Sequence, residues 1–407
     1  MFGPRRTNGL PLLLLLFTCW LSPAAQAAHL EQPEGLPVVY LEGSPYEMGR
    51  QHGELLRDPV RRSVARLLGY FRQYPHIPFF GPRAVNWWLG SAWRQAEPFI
   101  PSDYLEELRG LSDASGVGLK DLRRLHAIPD RTYACSGLAA WGRATRDGRL
   151  VHTRNLDWNI RAGIQEGAAV FVVHPTGKHA YVNVGWAGFI GVLTGINDQH
   201  VSIGQVGAET DDASYRGLPM PFVMRRVMEE AGSVDDAARL VDQAPRTVGV
   251  NYLVADAKVR RALALETTRR HFAVFEADDP KEHAVPYARP IPDAVFRADT
   301  AVDPSIRNQQ LASGGNPAVP GLEPPTGSAY AVRYLGQGAG VLARYGAIDA
   351  RRAIEIAKSV APPSNVQSVV FAWPELWVAN AAGQTRAAET TYHRLDLEAL
   401  FADAGSR

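Results

Sequence analysis

Strand-like and helix-like segments are grouped along this chain, and this grouping limits its possible folds more than any other feature. The strand patterns cover 169–173, 179–185, 250–255, 262–266 and 271–275. The helical patterns cover 45–72, 221–231, 234–243, 331–343 and 349–358. Runs of strands and runs of helices favour an α+β or sandwich core over a doubly wound sheet, in which the two alternate. A Pro- and Gly-rich stretch at 314–327 indicates a surface loop.

The composition is ordinary for a soluble globular protein. The 407 residues are 46% hydrophobic and 21% charged, and the formal net charge is +1. This balance lacks the charge excess that nucleic-acid or membrane-surface binding exploits, so we expect neither partner. The length suits one large domain or two ordinary ones.

The first 28 residues have the plan of a secretory signal peptide. Arg5 and Arg6 precede an apolar run over 10–21, and Ala25-Gln26-Ala27 matches an A-x-A cleavage signature. The run is shorter than the about 20 residues that span a bilayer, although an uncleaved anchor is an alternative. We expect an exported protein, periplasmic or secreted, with no membrane association once the signal is removed.

Cysteine usage singles out one residue. The chain has two cysteines, Cys19 and Cys135, and Cys19 lies within the signal. A mature exported protein with one cysteine cannot form an internal disulfide. Cys135 is therefore either a buried apolar residue or a reactive thiol.

The residues that follow Cys135 predict a β-hairpin. A strand over 136–145 and a returning strand over 150–154 flank an Asp-Gly turn at 146–149. This hairpin would bring Arg154 and Asp157 back beside Cys135. An arginine there favours the thiolate, and an aspartate can orient an amine.

The chemistry of a lone cysteine requires a base. His126 and His152 lie near in sequence, but neither has a papain-like context. The alternative base is the α-amine of Cys135 itself, whose pKa of about 7.7–8.0 suits proton transfer near neutral pH. This base requires cleavage between Ala134 and Cys135, by attack of the thiol on the preceding carbonyl and release of the thioester by water.

Cys135-Ser136-Gly137, followed by the run Arg154-Asn155-Leu156-Asp157-Trp158, resembles the acyl-coenzyme A:6-aminopenicillanate acyltransferase family. That family is a branch of the N-terminal-nucleophile (Ntn) hydrolases, related to choloylglycine hydrolases and penicillin V acylases. Further resembling stretches occur in the family's order, at 43–53, 191–198, 251–257, 265–266, 367–371 and 392–397. The resemblance therefore covers nearly the whole mature chain.

This resemblance implies a four-layer αββα sandwich. It also implies self-cleavage into an N-terminal segment, 29–134, and a catalytic core, 135–407, which remain associated. One region departs from the family: many members carry a Thr-Asn-His block, whereas this chain reads Phe296-Arg297-Ala298-Asp299-Thr300.

Cys135 is the nucleophile that the resemblance implies, with Arg154 beside the thiol and Asp157 as partner of the α-amine. For Arg154 and Asp157 the alternative is a salt bridge that only holds the hairpin. Asn251 begins a strand, where Asn is disfavoured, which suits the oxyanion donor that the family places there; an ordinary turn residue is the alternative.

Two further residues complete the predicted site. Asn197 resembles a second site Asn of choloylglycine hydrolases, or is a plain turn residue. Arg333 resembles the family's late Arg, or is a surface helix Arg.

The sequence has no zinc-ligand spacing and no phosphate-binding lysine motif, so we expect no metal and no cofactor.

The mechanism predicts hydrolysis of linear amides of N-acylated small molecules. Acyl transfer is secondary, because coenzyme A is an intracellular donor. Trp87, Trp88 and Trp93 are either acyl-pocket or core residues. The alternative function is an exported, non-catalytic or unprocessed binding protein on the same scaffold.

Overall fold

The computed structural model describes residues 1, 3, 28–73, 82–128, 134–285, 287–310 and 332–405. Nearly all of the predicted signal peptide, and the whole of the predicted loop at 314–327, lie outside these residues.

Two β-sheets form the centre of the described structure. The larger sheet has the order β1-β2-β5-β6-β7-β8-β9-β10-β11, and the smaller has the order β12-β3-β4-β13-β14-β15. The larger sheet contains β1 (Leu30–Glu31), β2 (Val38–Gly43), β5 (Ala168–Pro175), β6 (Tyr181–Trp186), β7 (Thr194–Asn197), β8 (Val201–Gly207), β9 (Val250–Asp256), β10 (Arg261–Thr267) and β11 (Phe272–Phe275). The smaller contains β3 (Ala134–Gly142), β4 (Gly148–Asp157), β12 (Ala294–Arg297), β13 (Asn365–Ala372), β14 (Glu375–Asn380) and β15 (His393–Asp396).

Twelve helices are present in the described residues. They are α1 (Pro45–Leu55), α2 (Arg57–Arg72), α3 (Pro82–Ala96), α4 (Ser102–Ser115), α5 (Leu119–His126), α6 (Met220–Glu230), α7 (Val234–Gln243), α8 (Pro280–His283), α9 (Pro304–Arg307), α10 (Val332–Leu342), α11 (Ala350–Ser359) and α12 (Leu397–Gly405). Helices α6 and α7 pack on β7 to β10, and α10 and α11 pack on β3, β4, β12 and β13. Strands β3 and β4 face β8 and β9 across the sandwich. The predicted α+β, four-layer αββα architecture is confirmed.

The N-terminal helices contain one departure from the sequence prediction. The single helix expected over 45–72 is divided into α1 and α2 at Leu56, which has φ −121° and ψ 31°. The start of α1 is as expected, since Ser44 and Glu47 form a reciprocal capping box. The division follows from Pro59 in the first turn of α2, which has no N–H to donate to the carbonyl of Leu55, the last residue of α1.

Helix α1 packs on α4 through glycines. A Cβ at Gly49 would lie 1.9 Å from the carbonyl oxygen of Glu107, and one at Gly110 would lie 2.1 Å from that of Tyr46. Only glycine allows the two helix backbones to approach this closely.

Among the described residues, no helix combines the length and apolarity that a membrane crossing needs.

Candidate active site

The β3–β4 hairpin brings together the residues that the sequence predicts around Cys135. The strands pair with Ala134 opposite Asp157 and Gly137 opposite Arg154. The expected close approach of Arg154 to the thiol is therefore a consequence of strand register, which alternates side chains between the two faces.

Arg154 is buried between the sheets and contacts the thiol directly. Its Nη2 lies 3.3 Å from Sγ of Cys135 and 2.9 Å from Oε1 of Gln205. Its Nη1 donates to the hydroxyl of Thr194 at 2.9 Å. Burial raises the pKa of Cys135 to about 11, and Arg154 opposes this rise. In the uncut chain the thiol is therefore protonated.

Gln205 is a site residue that the sequence motifs did not reveal. Its Oε1 lies 3.4 Å from Sγ of Cys135 and accepts from Arg154. It thus fixes the guanidinium and the thiol relative to each other. A polar residue on a strand that is buried on both faces is the signal that could have identified it.

Asp299 is the second residue that the sequence analysis did not assign to the site. Its Oδ1 accepts a hydrogen bond from the backbone nitrogen of Cys135 at 2.7 Å. It lies in the segment that departs from the family's Thr-Asn-His block. Burial raises the pKa of Asp299 to about 7, against the opposing effect of Arg333.

Arg333 joins two carboxylates on the other side of Cys135. It donates to Asp157, to Oδ2 of Asp299 at 3.0 Å and to the hydroxyl of Ser136 at 2.9 Å. Its side chain is fully buried, so a surface helix Arg is the wrong description. Asp157 pairs with Arg333 and accepts from Asn365 at 2.9 Å, whereas the nitrogen of Cys135 pairs with Asp299.

Asn251 supports the segment that carries Asp299. Its amide nitrogen donates to the carbonyl oxygens of Ala298 and Thr300, both at 3.2 Å. These contacts occupy both amide hydrogens in the uncut chain. The oxyanion role of Asn251 stays a prediction.

Asn197 is engaged away from the thiol. Its amide nitrogen donates to the carbonyl oxygens of Met228 and Ala231, and its oxygen accepts from the backbone of Gln199 and Val201. These four bonds satisfy the side chain and tie the β7–β8 turn to the end of α6. The structure therefore does not bring Asn197 together with the other predicted site residues.

The nearby histidines are buried and held in structural contacts. His152 Nδ1 lies 2.8 Å from the hydroxyl of Ser202. His126 Nε2 accepts from the backbone of Ile190 at 3.0 Å, and His52 Nε2 accepts from Gly188 at the same distance. Burial lowers the pKa of His126 to about 4 and that of His52 and His152 to about 3. All three are neutral near pH 7.

An apolar pocket has lining residues that adjoin site residues in the chain. It is lined by Leu67, Leu125, Ile128, Trp158, Ile164, Trp186, Ala187, Phe189 and Leu193. Trp158 follows Asp157 in the chain, and Leu193 precedes the Thr194 that contacts Arg154. The pocket and Cys135 belong to one apolar cluster. Of the three tryptophans suggested from sequence, Trp93 is a core residue and Trp87 is 68% exposed.

Two histidines of the N-terminal segment hold the pocket-lining segment 187–193. His52 and His126 accept from its backbone at Gly188 and Ile190, and His126 stacks on Phe189 with ring centroids 4.8 Å apart.

Within the described ranges, the His, Cys, Asp and Glu side chains form no group of three or more that could hold a metal ion.

Comparison with known proteins supports the resemblance seen in the motifs. The sequence model of the acyl-coenzyme A:6-aminopenicillanic acid acyl-transferase family matches residues 144–283. Over this stretch the chain is similar to that acyl-transferase family. The match includes Arg154, Asp157, Asn197 and Asn251.

Individual relatives of this chain are distant. Protein dcd1B of Dictyostelium discoideum is 27% identical over 278 residues, which are 63% of this chain and 54% of the relative. The N-acylethanolamine-hydrolyzing acid amidase of Mus musculus is 21% identical over 202 residues, 46% of this chain and 54% of the relative. The chain thus spans about half the length of these curated relatives. A solved structure of the Caenorhabditis elegans ortholog of that amidase covers 58% of this chain and 92% of its own, with a TM-score of 0.43 and 16% identity.

Proposed function

We propose that this chain is a self-cleaving amidohydrolase whose nucleophile is Cys135. The observation that carries the proposal is the set of contacts at this residue: its sulfur faces Arg154, and its backbone nitrogen faces a carboxylate. A buried apolar cysteine needs neither partner. The acyl-transferase family match and the acid amidase among the relatives support the same chemistry.

Self-cleavage begins at the bond between Ala134 and Cys135. The thiol adds to the Ala134 carbonyl, the carbon–nitrogen bond breaks, and the nitrogen takes up the thiol proton to become a free α-amine. Water then hydrolyses the thioester, which frees the Ala134 carboxylate and returns a proton to the sulfur. The products are segments 29–134 and 135–407, which remain associated.

Turnover uses the new α-amine as the base. The amine takes the proton of the thiol, and the thiolate attacks the carbonyl of a linear amide. The resulting ammonium protonates the departing amine, which leaves an acyl thioester on Cys135. The α-amine then takes a proton from water, whose hydroxide releases the acid and restores the thiol.

The substrate class follows from the pocket. Its lining is wholly apolar, which suits the acyl part of an N-acylated small molecule and favours a hydrocarbon chain. Each buried CH₂ contributes about 0.8 kcal/mol. A homologous series of N-acyl amides should therefore gain about fourfold in kcat/KM per CH₂ until the pocket is filled. Activity that is independent of chain length would contradict this assignment.

Export completes the proposal and rests on the signal-like start of the sequence. N-terminal sequencing of the protein from its native host tests it. A mature chain that begins near residue 29 is expected, and a chain that retains residues 1–28 would contradict it.

The experiment that tests the function is intact mass measurement of wild type and Cys135→Ala. The expected result is two fragments in the wild type, with Cys135 as a new N-terminus, and one chain in the variant. One chain in both would remove the α-amine as base, and a binding protein on the same scaffold would then be the leading description.

A further inference from the structure

The backbone nitrogen of Cys135 is an atom of the bond that self-cleavage breaks, and afterwards it is the α-amine. We propose that Asp299 is the catalytic carboxylate that binds this nitrogen before and after cleavage. In the uncut chain it accepts the amide N–H at 2.7 Å, and in the cut protein it pairs with the α-ammonium. This inference rests on the proposed function, since it assigns a residue to that same reaction.

Asp157 is the competing carboxylate, and its oxygens are already occupied. Oδ2 accepts from Arg333, and Oδ1 accepts from Nδ2 of Asn365 at 2.9 Å. Asp157 therefore positions Arg333. Asp299 gives only Oδ2 to Arg333, so its Oδ1 is the oxygen that remains for the nitrogen of Cys135.

The backbone around Asp299 is fixed on both sides. Asn251 donates to the carbonyl oxygens of Ala298 and Thr300, the two neighbours of Asp299. Further along, the carboxylate of Glu266 accepts from the backbone nitrogens of Val302 and Asp303. A catalytic group held in this way needs little reorganisation during the reaction.

The charges around the reacting atoms also require a partner for the ammonium. Arg154 and Arg333 balance Asp157 and Asp299 in this buried site. Proton transfer from the thiol to the α-amine creates a thiolate, which faces Arg154, and an ammonium, which would face Asp299. Without a charge at 299 the ammonium would have no facing counter-ion, and in a buried site that disfavours the transfer.

The test compares Asp299→Asn with Asp157→Asn, and uses the exposed Asp235→Asn as a matched control. Cleavage is followed by intact mass. In the cut proteins the titration of the α-amine is followed between pH 4 and 9 by the ¹⁵N chemical shift of protein labelled with ¹⁵N-cysteine, since Cys135 is the one cysteine in the sequence of segment 135–407. Asn at 299 keeps an oxygen acceptor for the nitrogen but loses the charge. The expected result is an α-amine whose midpoint is lowered by about one pH unit in Asp299→Asn, because the ammonium loses its counter-ion.

Equal midpoints in wild type and Asp299→Asn, or a larger shift in Asp157→Asn, would overturn the assignment. If folded Asp299→Asn does not cleave, while Asp235→Asn and the charge-retaining Asp299→Glu do, the assignment is supported. If circular dichroism reports that Asp299→Asn is unfolded, Asp299→Glu decides: a midpoint like that of wild type supports the role, and a shift of more than about one unit opposes it. A wild type that never cleaves contradicts the proposed function instead.

Discussion

Gly204 lies directly against the side chain of Arg154. A Cβ added at Gly204 would be 2.8 Å from Cγ and 3.2 Å from Cβ of Arg154. Gly204 is in β8 of one sheet, and Arg154 is in β4 of the other. The missing side chain therefore creates the space between the sheets through which the guanidinium reaches the thiol.

Gly204→Ala should displace Arg154 and slow both self-cleavage and turnover by tenfold or more. A contact below 3 Å forces one of the two side chains to move, and loss of about 1.4 kcal/mol at the thiol is a factor of ten. The measurement is the rate of fragment formation by intact mass. Gly69→Ala is the control, because nothing lies within 4 Å of a Cβ there. Equal rates in both variants would contradict the expectation.

Arg225→Met should lower the free energy of unfolding by about 3–5 kcal/mol. Arg225 donates to Glu107 at 2.5 Å and to Glu229 at 2.8 Å, and the variant leaves both carboxylates buried without this partner. Urea unfolding in the uncut Cys135→Ala background measures the change.

Arg226→Met is the matched control for this prediction. Its salt bridge to Glu230 is partly exposed, so a loss of less than about 1 kcal/mol is expected. Since Glu107 precedes the cleavage site and Arg225 follows it, Arg225→Met should also weaken the association of the two fragments.

His126→Gln should make the protein less sensitive to acid. The folded pKa of His126 is lowered to about 4, so between about pH 6.5 and 4 the unfolded state binds a proton that the folded state does not. Wild type thus loses about 1.4 kcal/mol per pH unit through this group as pH falls. Gln does not titrate and can still accept from Ile190.

The measurement is urea unfolding of both proteins at pH 7 and pH 5, in the Cys135→Ala background. The stability of His126→Gln relative to wild type should improve by about 2 kcal/mol at the lower pH. The exposed His283→Gln serves as control. A pH-independent difference for His126→Gln would mean that the imidazole is not kept neutral in the folded protein.

Ala187→Leu should restrict the acyl chains that are accepted. Ala187 is buried in the pocket lining, and Leu there adds three carbon atoms to the space that a chain would occupy. Activity on long-chain amides should fall by more than tenfold, with short-chain amides and self-cleavage unaffected. An equal loss on all substrates would instead indicate a general disturbance of the site.

The fold and the immediate neighbours of the thiol could be predicted because they depend on local patterns. The Asp-Gly turn predicts the β3–β4 hairpin, and the hairpin carries Arg154 to Cys135, although a bulge between Ala140 and Gly142 shifts the register on the way. The helices Met220–Glu230, Val234–Gln243, Val332–Leu342 and Ala350–Ser359 agree with their apolar periodicity within one residue at each end.

The contacts that could not be predicted join residues far apart in sequence. Asp299 lies 164 positions after Cys135, and the Asp157–Arg333 pair is separated by 176. A single sequence does not encode which of two aspartates faces a given nitrogen, because that choice depends on how β12 and α10 pack on the hairpin. The break at Leu56, in contrast, has a signal in the sequence: Pro59 has no N–H to donate to the carbonyl of Leu55, so the helical pattern over 45–72 is interrupted there.

The apolar pocket is built from both sides of the Ala134–Cys135 bond. Leu67, Leu125 and Ile128 precede that bond, and the remaining lining residues follow it. Once the bond is cut, any molecule that fills the pocket touches two separate polypeptides. By mass action such a molecule must tighten their association as much as that association tightens its own binding. Bound substrate would therefore stabilise the heterodimer that consumes it, and depletion of substrate would weaken the association of the two fragments.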